Sequence, residues 1–290
     1  MIVNADCIEH LKTIEDNHFD SVVTDPPYHL TSIAKRFTNS TEAKYGKDGS
    51  FQRLSKGFHG HEWDGGDIAF TTDLWKEVYR TIKPGAVLLA FAATRNYHKM
   101  ATAIENSGFE IMDMINWIYG SGFPKRKNLL KPAHEPIVMA RKGVNKDLNL
   151  DECRVNGDNP KKWTKPKGGF WKTDPNAKAK YIENTKGRWP ANIIHDGLDE
   201  EWAKYFYSAK ASKKEKDGSN HPTVKPVSLM RYLVKLVTPK DGLVLDPFAG
   251  TGTTGEACIL EGRNYYLIEK TKEYIPDIEK RINKYDRLGI

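Results

Sequence analysis

The sequence predicts an α/β fold, a doubly wound and mostly parallel sheet, and three observations predict it. Short unbroken apolar runs, among them Ala86–Phe91, Ile137–Ala140 and Leu243–Leu245, have the character of strands covered on both faces. Segments of helical periodicity alternate with them, at Asp73–Ile82, Tyr97–Glu105 and Val227–Val237. A glycine-rich turn, Pro247-Phe-Ala-Gly-Thr-Gly252, joins one buried strand to the helix after it, the junction at which such sheets hold nucleosides. At 290 residues the chain has room for one large core, or one and a half domains.

Composition narrows the classes. No segment reaches the roughly 18–20 consecutive apolar residues of a membrane span, and Met1-Ile-Val-Asn-Ala-Asp6 lacks the charged-then-apolar pattern of a secretion signal. The expectation is a soluble, untargeted, cytoplasmic protein with no membrane partner. Cys7, Cys153 and Cys258 are odd in number and contain no Cys-x-x-Cys pair, which argues for a reducing compartment and inert core thiols and against a disulfide framework or structural zinc. The net charge of +7 is regional. Residues 121–220 hold 22 lysines and arginines against 13 acidic residues, so the rest of the chain is slightly acidic. The densest part, Lys161-Lys-Trp-Thr-Lys-Pro-Lys-Gly-Gly-Phe-Trp-Lys172, interleaves cations, aromatics and glycines as a polyanion-contacting loop would, although a merely solvated lysine-rich loop has the same composition.

Taken in order, Ile2-Val3 is a short strand, and Asp6 is placed to cap a helix over Cys7–Ile14, where apolar residues fall at 7, 8, 11 and 14. The strand Asp20–Thr24 stops at Asp25 because Pro26 and Pro27 have no N–H to give a ladder. From 29 to 66 no period persists, which reads as a mobile active-site loop. His59 and His61 lie there without a third ligand nearby and do not call for a metal. The helix over Asp73–Ile82 closes at Lys83-Pro-Gly85, and strands at Ala86–Phe91, Ile111–Tyr119 and Ile137–Ala140 accompany the helix Tyr97–Glu105. After Arg141 the rhythm breaks until residue 220, and five of the seven tryptophans fall between Trp117 and Trp202. That aromatic content argues for an inserted recognition region over 142–220 rather than a disordered linker, with a short strand within Trp189–His195. The α/β rhythm resumes from 221, with Pro226 opening the helix Val227–Val237, the strand Leu243–Asp246, the glycine turn, a helix Thr253–Leu260, and the strand Tyr265–Glu269. Residues 1–141 and 221–290 thus form the main domain.

Two motifs carry chemistry. Asp25-Pro-Pro-Tyr28 displays a carboxylate, a proline carbonyl and an aromatic ring on a stiff tip; taken alone it also reads as an acidic turn with a packed tyrosine. Strand, glycine turn, helix, strand and terminal acid, ending at Glu269, form a nucleoside-binding arrangement in which glycines admit close backbone approach and the acid accepts from ribose hydroxyls.

With both in hand, the sequence resembles the β-group of S-adenosylmethionine-dependent DNA amino-methyltransferases, the N-4/N-6 DNA methylases, over most of its length. Thr24-Asp-Pro-Pro-Tyr28 matches the catalytic motif, Asp246-Pro-Phe-Ala-Gly-Thr-Gly-Thr-Thr254 the cofactor motif, and His221-Pro-Thr-Val-Lys-Pro226 the stretch ahead of it. The resemblance implies Asp25, Pro26, Pro27 and Tyr28 as catalytic residues. It implies S-adenosylmethionine held by Asp6 and Cys7 on the adenine side, Glu269 on the ribose side, Asp246, Phe248, Gly250, Gly252 and Thr253 at the turn, and Asp25, His221, Thr223 and Lys225 nearer the methionine. It also implies a circularly permuted methyltransferase sheet with the strands Leu243–Asp246 and Ser21–Thr24 adjacent, and Tyr265–Glu269 beside Ile2-Val3. Double-stranded DNA with a flipped base is the implied partner, no metal is expected and a homodimer is a candidate assembly; residues 142–220 offer no match to carry over, so the DNA site read stays open and Lys161, Lys162, Lys165, Lys167 and Arg188 are expected contacts on their basic composition alone.

Asp25 and the Pro26 carbonyl would hold an exocyclic amine so that its nitrogen becomes a nucleophile, with Tyr28 stacking on the base. Asp before the prolines is the usual adenine-N6 form of the motif, whereas cytosine-N4 members mostly carry Ser there. A methyltransferase acting on RNA or protein, or a silent DNA-binding sensor of the cofactor, are the rival classes.

Overall fold

A computed structural model describes residues 1–28, 67–119, 130, 132–144, 146–155, 189–195 and 224–286, together with the backbone at 162–163 and 181–182. The 29–66 loop, His221, Thr223, Lys161, Lys165, Lys167 and Arg188 lie outside the described residues, as does the side chain of Lys162.

The strands are β1 (Ile2–Asn4), β2 (Phe19–Thr24), β3 (Ile82–Phe91), β4 (Glu110–Ile118), β5 (His134–Arg141), β6 (Lys162–Trp163), β7 (Tyr181–Ile182), β8 (Ile193–His195), β9 (Leu243–Asp246) and β10 (Asn264–Glu269). The helices are α1 (Cys7–Leu11), α2 (Thr72–Thr81), α3 (Tyr97–Glu105), α4 (Val227–Val237), α5 (Thr253–Leu260) and α6 (Ile275–Asp286). Eight strands form one sheet in the order β1-β10-β9-β2-β3-β5-β4-β8, and β6 pairs with β7 separately. Every neighbouring pair in the large sheet is parallel except β3 with β5 and β5 with β4, so β5 alone runs against the rest.

Alternation along the central strands sends successive side chains into two different cores. Val22, Leu88, Ala90, Val138 and Ala140 face α1, α2 and α3, where Leu11, Trp75, Val78 and Ile104 are fully buried. Val23, Val87, Leu89, Phe91, Ile137 and Met139 face α4 and α5, against Leu229, Leu233, Val234 and Ala257. Each large apolar side chain so enclosed stabilises the fold by about 1.5–3 kcal/mol. Trp75 keeps its indole satisfied by donating to the Ala69 carbonyl at 2.9 Å. A smaller cluster of Ala249, Leu267, Ile278 and Ile282 seats α6 on the outer part of the sheet.

The expected adjacencies are present: Ser21 and Val22 pair with Val244 and Leu245, and Ile2 pairs with Leu267. From β9 the chain crosses through α5 to β10 on one side, and from β2 through α2 to β3 on the other. Connections leaving in opposite directions open a crevice at the carboxyl ends of β9 and β2, the switch point at which such sheets bind ligands.

Several expectations are corrected. The first helix ends at Leu11, not Ile14. No breaker separates α2 from the next strand: β3 begins at Ile82 and passes through Lys83-Pro-Gly85, and a register shift between Phe19 and Ser21 absorbs the proline that cannot donate to the ladder. Helix α6 was not anticipated, although Ile275, Ile278, Ile282 and Tyr285 recur at helical spacing. As expected, Cys153 is a core thiol, buried beside Leu148 and Leu150, and a short strand, β8, falls within Trp189–His195; it extends the sheet alongside β4.

Candidate active site

The switch-point crevice is lined from one side by the turn after β9. Gly250 and Gly252 have φ of 54° and 78°, left-handed values that favour glycine, and they fold the chain back tightly enough for α5 to start at Thr253. Asp246, which ends β9, accepts from the Thr24 hydroxyl at 2.7 Å, the Thr254 hydroxyl at 2.5 Å and the Phe248 amide at 3.1 Å. It therefore ties β2, the glycine turn and α5 together. Its carboxyl is pushed up to about 6, burial outweighing those three donors.

Two further acids sit at the ends of neighbouring strands. Glu269, the last residue of β10, accepts from the Gly250 amide at 2.8 Å and the Thr271 amide at 2.7 Å, one bond to each oxygen. Burial raises its pKa and the two amides temper the rise. The carboxylate retains the capacity to accept from an incoming hydroxyl. Asp6, just beyond β1, caps α1 through the Ile8 and Glu9 amides at 3.1 and 3.4 Å and pairs with Lys270 at 3.0 Å. Two oriented carboxylates beside a turn with close-approach glycines make a set of acceptors suited to a nucleoside, whose hydroxyls could donate to Glu269 and whose exocyclic amine could donate to Asp6. The Cys7 side chain faces the core instead, and burial pushes its thiol up to about 12. All three thiols are buried.

The other wall is the tip beyond β2. Tyr28 donates its phenol to Asp25 Oδ1 at 2.7 Å, and its backbone carbonyl accepts from Asn96 Nδ2 at 2.8 Å, which fixes both ends of the tetrad. Lys225, immediately before the helix-opening Pro226, reaches Asp25 Oδ2 at 2.5 Å. It also lies 3.2 Å from Glu135 Oε2 and 3.2 Å from the Tyr28 hydroxyl, with its ammonium 4.7 Å from the centre of the Phe91 ring. Lys225 is thus brought to the Asp25–Tyr28 tip. Burial favours its neutral form, but the facing carboxylates of Asp25 and Glu135 outweigh burial and raise its pKa. Burial raises Asp25 first, Lys225 opposes the rise and Glu135 adds to it, leaving a net increase. Tyr28 is driven well above its ordinary value by burial and the same two acids.

Sequence reasoning missed Glu135 and Asn96. Glu135 arrives because β5 is reversed: its beginning lies at the sheet edge where the parallel strands end, as the pairing of Ala90 with Val138 and of Phe91 with Ile137 requires. A reading that alternates strands and helices places the beginning of a strand at the opposite edge. An acid directly before an apolar run, in His134-Glu-Pro-Ile137, is the signal that was available.

A nucleoside crevice meeting a rigid carboxylate-and-aromatic tip defines a class, the enzymes that transfer a group from a nucleoside-bearing donor. Comparison with known proteins gives the family. A profile described as DNA methylase, N6_N4_Mtase, matches residues 19–280, and the chain belongs to this family. It is 28% identical to the type II methyltransferase M.HindIII of Haemophilus influenzae, over 93% of this chain and 90% of that one. It is 26% identical to M2.MboI of Moraxella bovis, over 97% and 86%. Among solved structures, the M1.HpyAVI complex with S-adenosylmethionine superposes with a TM-score of 0.56 at 21% identity, covering 98% of both chains. The PvuII DNA methyltransferase, described as cytosine-N4-specific, gives 0.59 at 16% identity, covering 99% of this chain and 91% of that one. The protein is a DNA methyltransferase and its cofactor is S-adenosylmethionine, whose nucleoside carries the hydroxyl and amine donors that acceptors such as Glu269 and Asp6 suit.

Proposed function

We propose that the protein methylates the exocyclic N6 of adenine in duplex DNA at specific sites, acting on a base swung out of the helix. The observation that carries this reading is the Asp25-Pro-Pro-Tyr28 tip, held at the switch point by Asn96, Lys225 and the bond from Thr24 to Asp246. When bound, the cofactor supplies an electrophilic methyl group; the amine lone pair forms the N–C bond as the C–S bond breaks and sulfur keeps its electron pair. The chain's own residues supply position and charge. The Asp25 carboxylate and Pro26 carbonyl accept the two amine hydrogens, which turns the nitrogen lone pair out of the ring and toward the methyl. Tyr28, pinned through its hydroxyl, offers its ring face to the flipped base. The nitrogen sheds its extra proton to Asp25 and from there to water. Glu269 and Asp6 hold the cofactor's ribose and adenine, and His221 and Thr223 belong to its methionine pocket. The permuted strand order and target recognition by the 142–220 region belong to the same reading; the pairing of β9 with β2 supports the former and the basic, tryptophan-rich composition the latter.

Asp before the prolines favours adenine. The likeness to a cytosine-N4-specific enzyme keeps N4 as the second reading, since both atoms are exocyclic amines and suit one acceptor geometry. Incubation with DNA and labelled cofactor, followed by mass spectrometry of the digested nucleosides, should find N6-methyladenine. Asp25→Ala should lower turnover by about 10²-fold or more with cofactor binding intact, because the lost acceptor is needed mainly as the nitrogen rehybridises. Methyl on cytosine N4 alone would overturn the adenine assignment, and transfer only to RNA or protein would overturn the substrate class.

A further inference from the structure

We propose that Glu135 is a positioning residue of methyl transfer, holding Lys225 so that Asp25 keeps an uncompensated negative charge for the amine. The inference rests on the reading above, in which Asp25 is the acceptor.

Three observations support it. Lys225 is 9% exposed at its side chain, Asp25 21% and Glu135 20%, so the three charges act on one another with little water between them. One ammonium serves two carboxylates, at 2.5 Å to Asp25 and 3.2 Å to Glu135, and the ionised trio carries one net negative charge. The Tyr28 hydroxyl, which donates to Asp25, also lies 3.2 Å from Glu135 Oε2, so both partners of Asp25 are shared with the second acid.

The reaction moves one positive charge from sulfur to the amine nitrogen. A neutral Lys225–Asp25 pair would offer that nitrogen no net charge and would occupy the acceptor oxygens. Glu135 divides the ammonium's attention, and the surplus negative charge stays where the cation develops, with no proton passing to Glu135 itself. The reversal of β5 makes this possible, since it is the start of that strand which meets the end of β2.

Kinetics with duplex DNA tests the assignment. Glu135→Gln keeps shape and removes charge; kcat should fall roughly tenfold to a hundredfold while the KM for S-adenosylmethionine changes by less than about threefold. Removing that charge also lets Lys225 act on Asp25 alone, so the acid limb of the kcat profile should move to lower pH. Glu135→Asp, which keeps the charge on a shorter side chain, should retain most of the wild-type kcat and leave the acid limb where it is in wild type. An undiminished kcat in Glu135→Gln, or equal losses in Glu135→Gln and Glu135→Asp, would overturn the assignment. Wild-type protein that labels no DNA would overturn it together with the functional reading, whereas active wild type with an unimpaired Glu135→Gln would overturn this assignment alone.

Discussion

Asp246 shows how far a single residue is governed by its surroundings. It is 2% exposed, and its carboxyl titrates at about 6 in place of 3.8. Below 3.8 the group is neutral whether the chain is folded or not. As pH rises from 3.8 to about 6 the unfolded chain ionises first, so the native state loses stability through that window and the penalty is constant above it. Wild type should therefore lose Tm relative to Asp246→Asn across that interval and hold a steady difference at higher pH; a difference that ignores pH would refute the assignment of the shift to burial. Asp25 and Asp246 were legible in the sequence because each follows an apolar run and precedes a proline, and Glu269 because it ends the strand that follows the glycine turn and its helix. Asn96 and Glu135 were not, because their importance comes from partners far along the chain, Tyr28 and Lys225.

Among the elements, the boundaries read from sequence hold where local chemistry sets them. Helices α3, α4 and α5 run as expected: Pro226 opens α4, Thr238-Pro239 closes it, and the glycine turn opens α5. They fail where tertiary pairing decides, as in β3, whose ladder runs through a proline, and in β5, whose direction no periodicity reveals. Gly252 combines both influences. Its φ is 78°, and a Cβ there would lie 2.8 Å from Ile278 Cγ2 on α6. Gly252→Ala should cost about 1–3 kcal/mol of unfolding free energy, read as a lower denaturant midpoint. A midpoint equal to wild type would mean that α6 yields without cost.

At the scale of the whole molecule, the positive charge is concentrated in one part of the sequence. The basic surplus of residues 121–220 accompanies a slightly acidic remainder, so phosphate contacts should concentrate there if the proposed recognition region is where DNA is read. Replacing Lys161, Lys162, Lys165 and Lys167 together by Ala should weaken DNA binding and flatten the plot of log K against log salt by as much as about 3–4, near 0.9 per lost phosphate contact. An unchanged slope would place the DNA-binding surface elsewhere. The sequence also made the sheet's central pairing legible, since two motifs that serve one reaction must meet at its switch point.

The partnership of β1 with β10 also governs how the protein is made. Asn4 pairs with Glu269, 265 residues further along the chain. At about 5–20 residues per second, a ribosome needs roughly ten seconds to nearly a minute to deliver that partner. Until then β1 has no neighbour in the sheet, and β2, whose other flank is completed only by β9, keeps one edge open. Such an unpaired apolar edge is a template for wrong strand pairing. The sheet can therefore close only after β9 and β10 have been made, and until then its early strands stay exposed to mispairing.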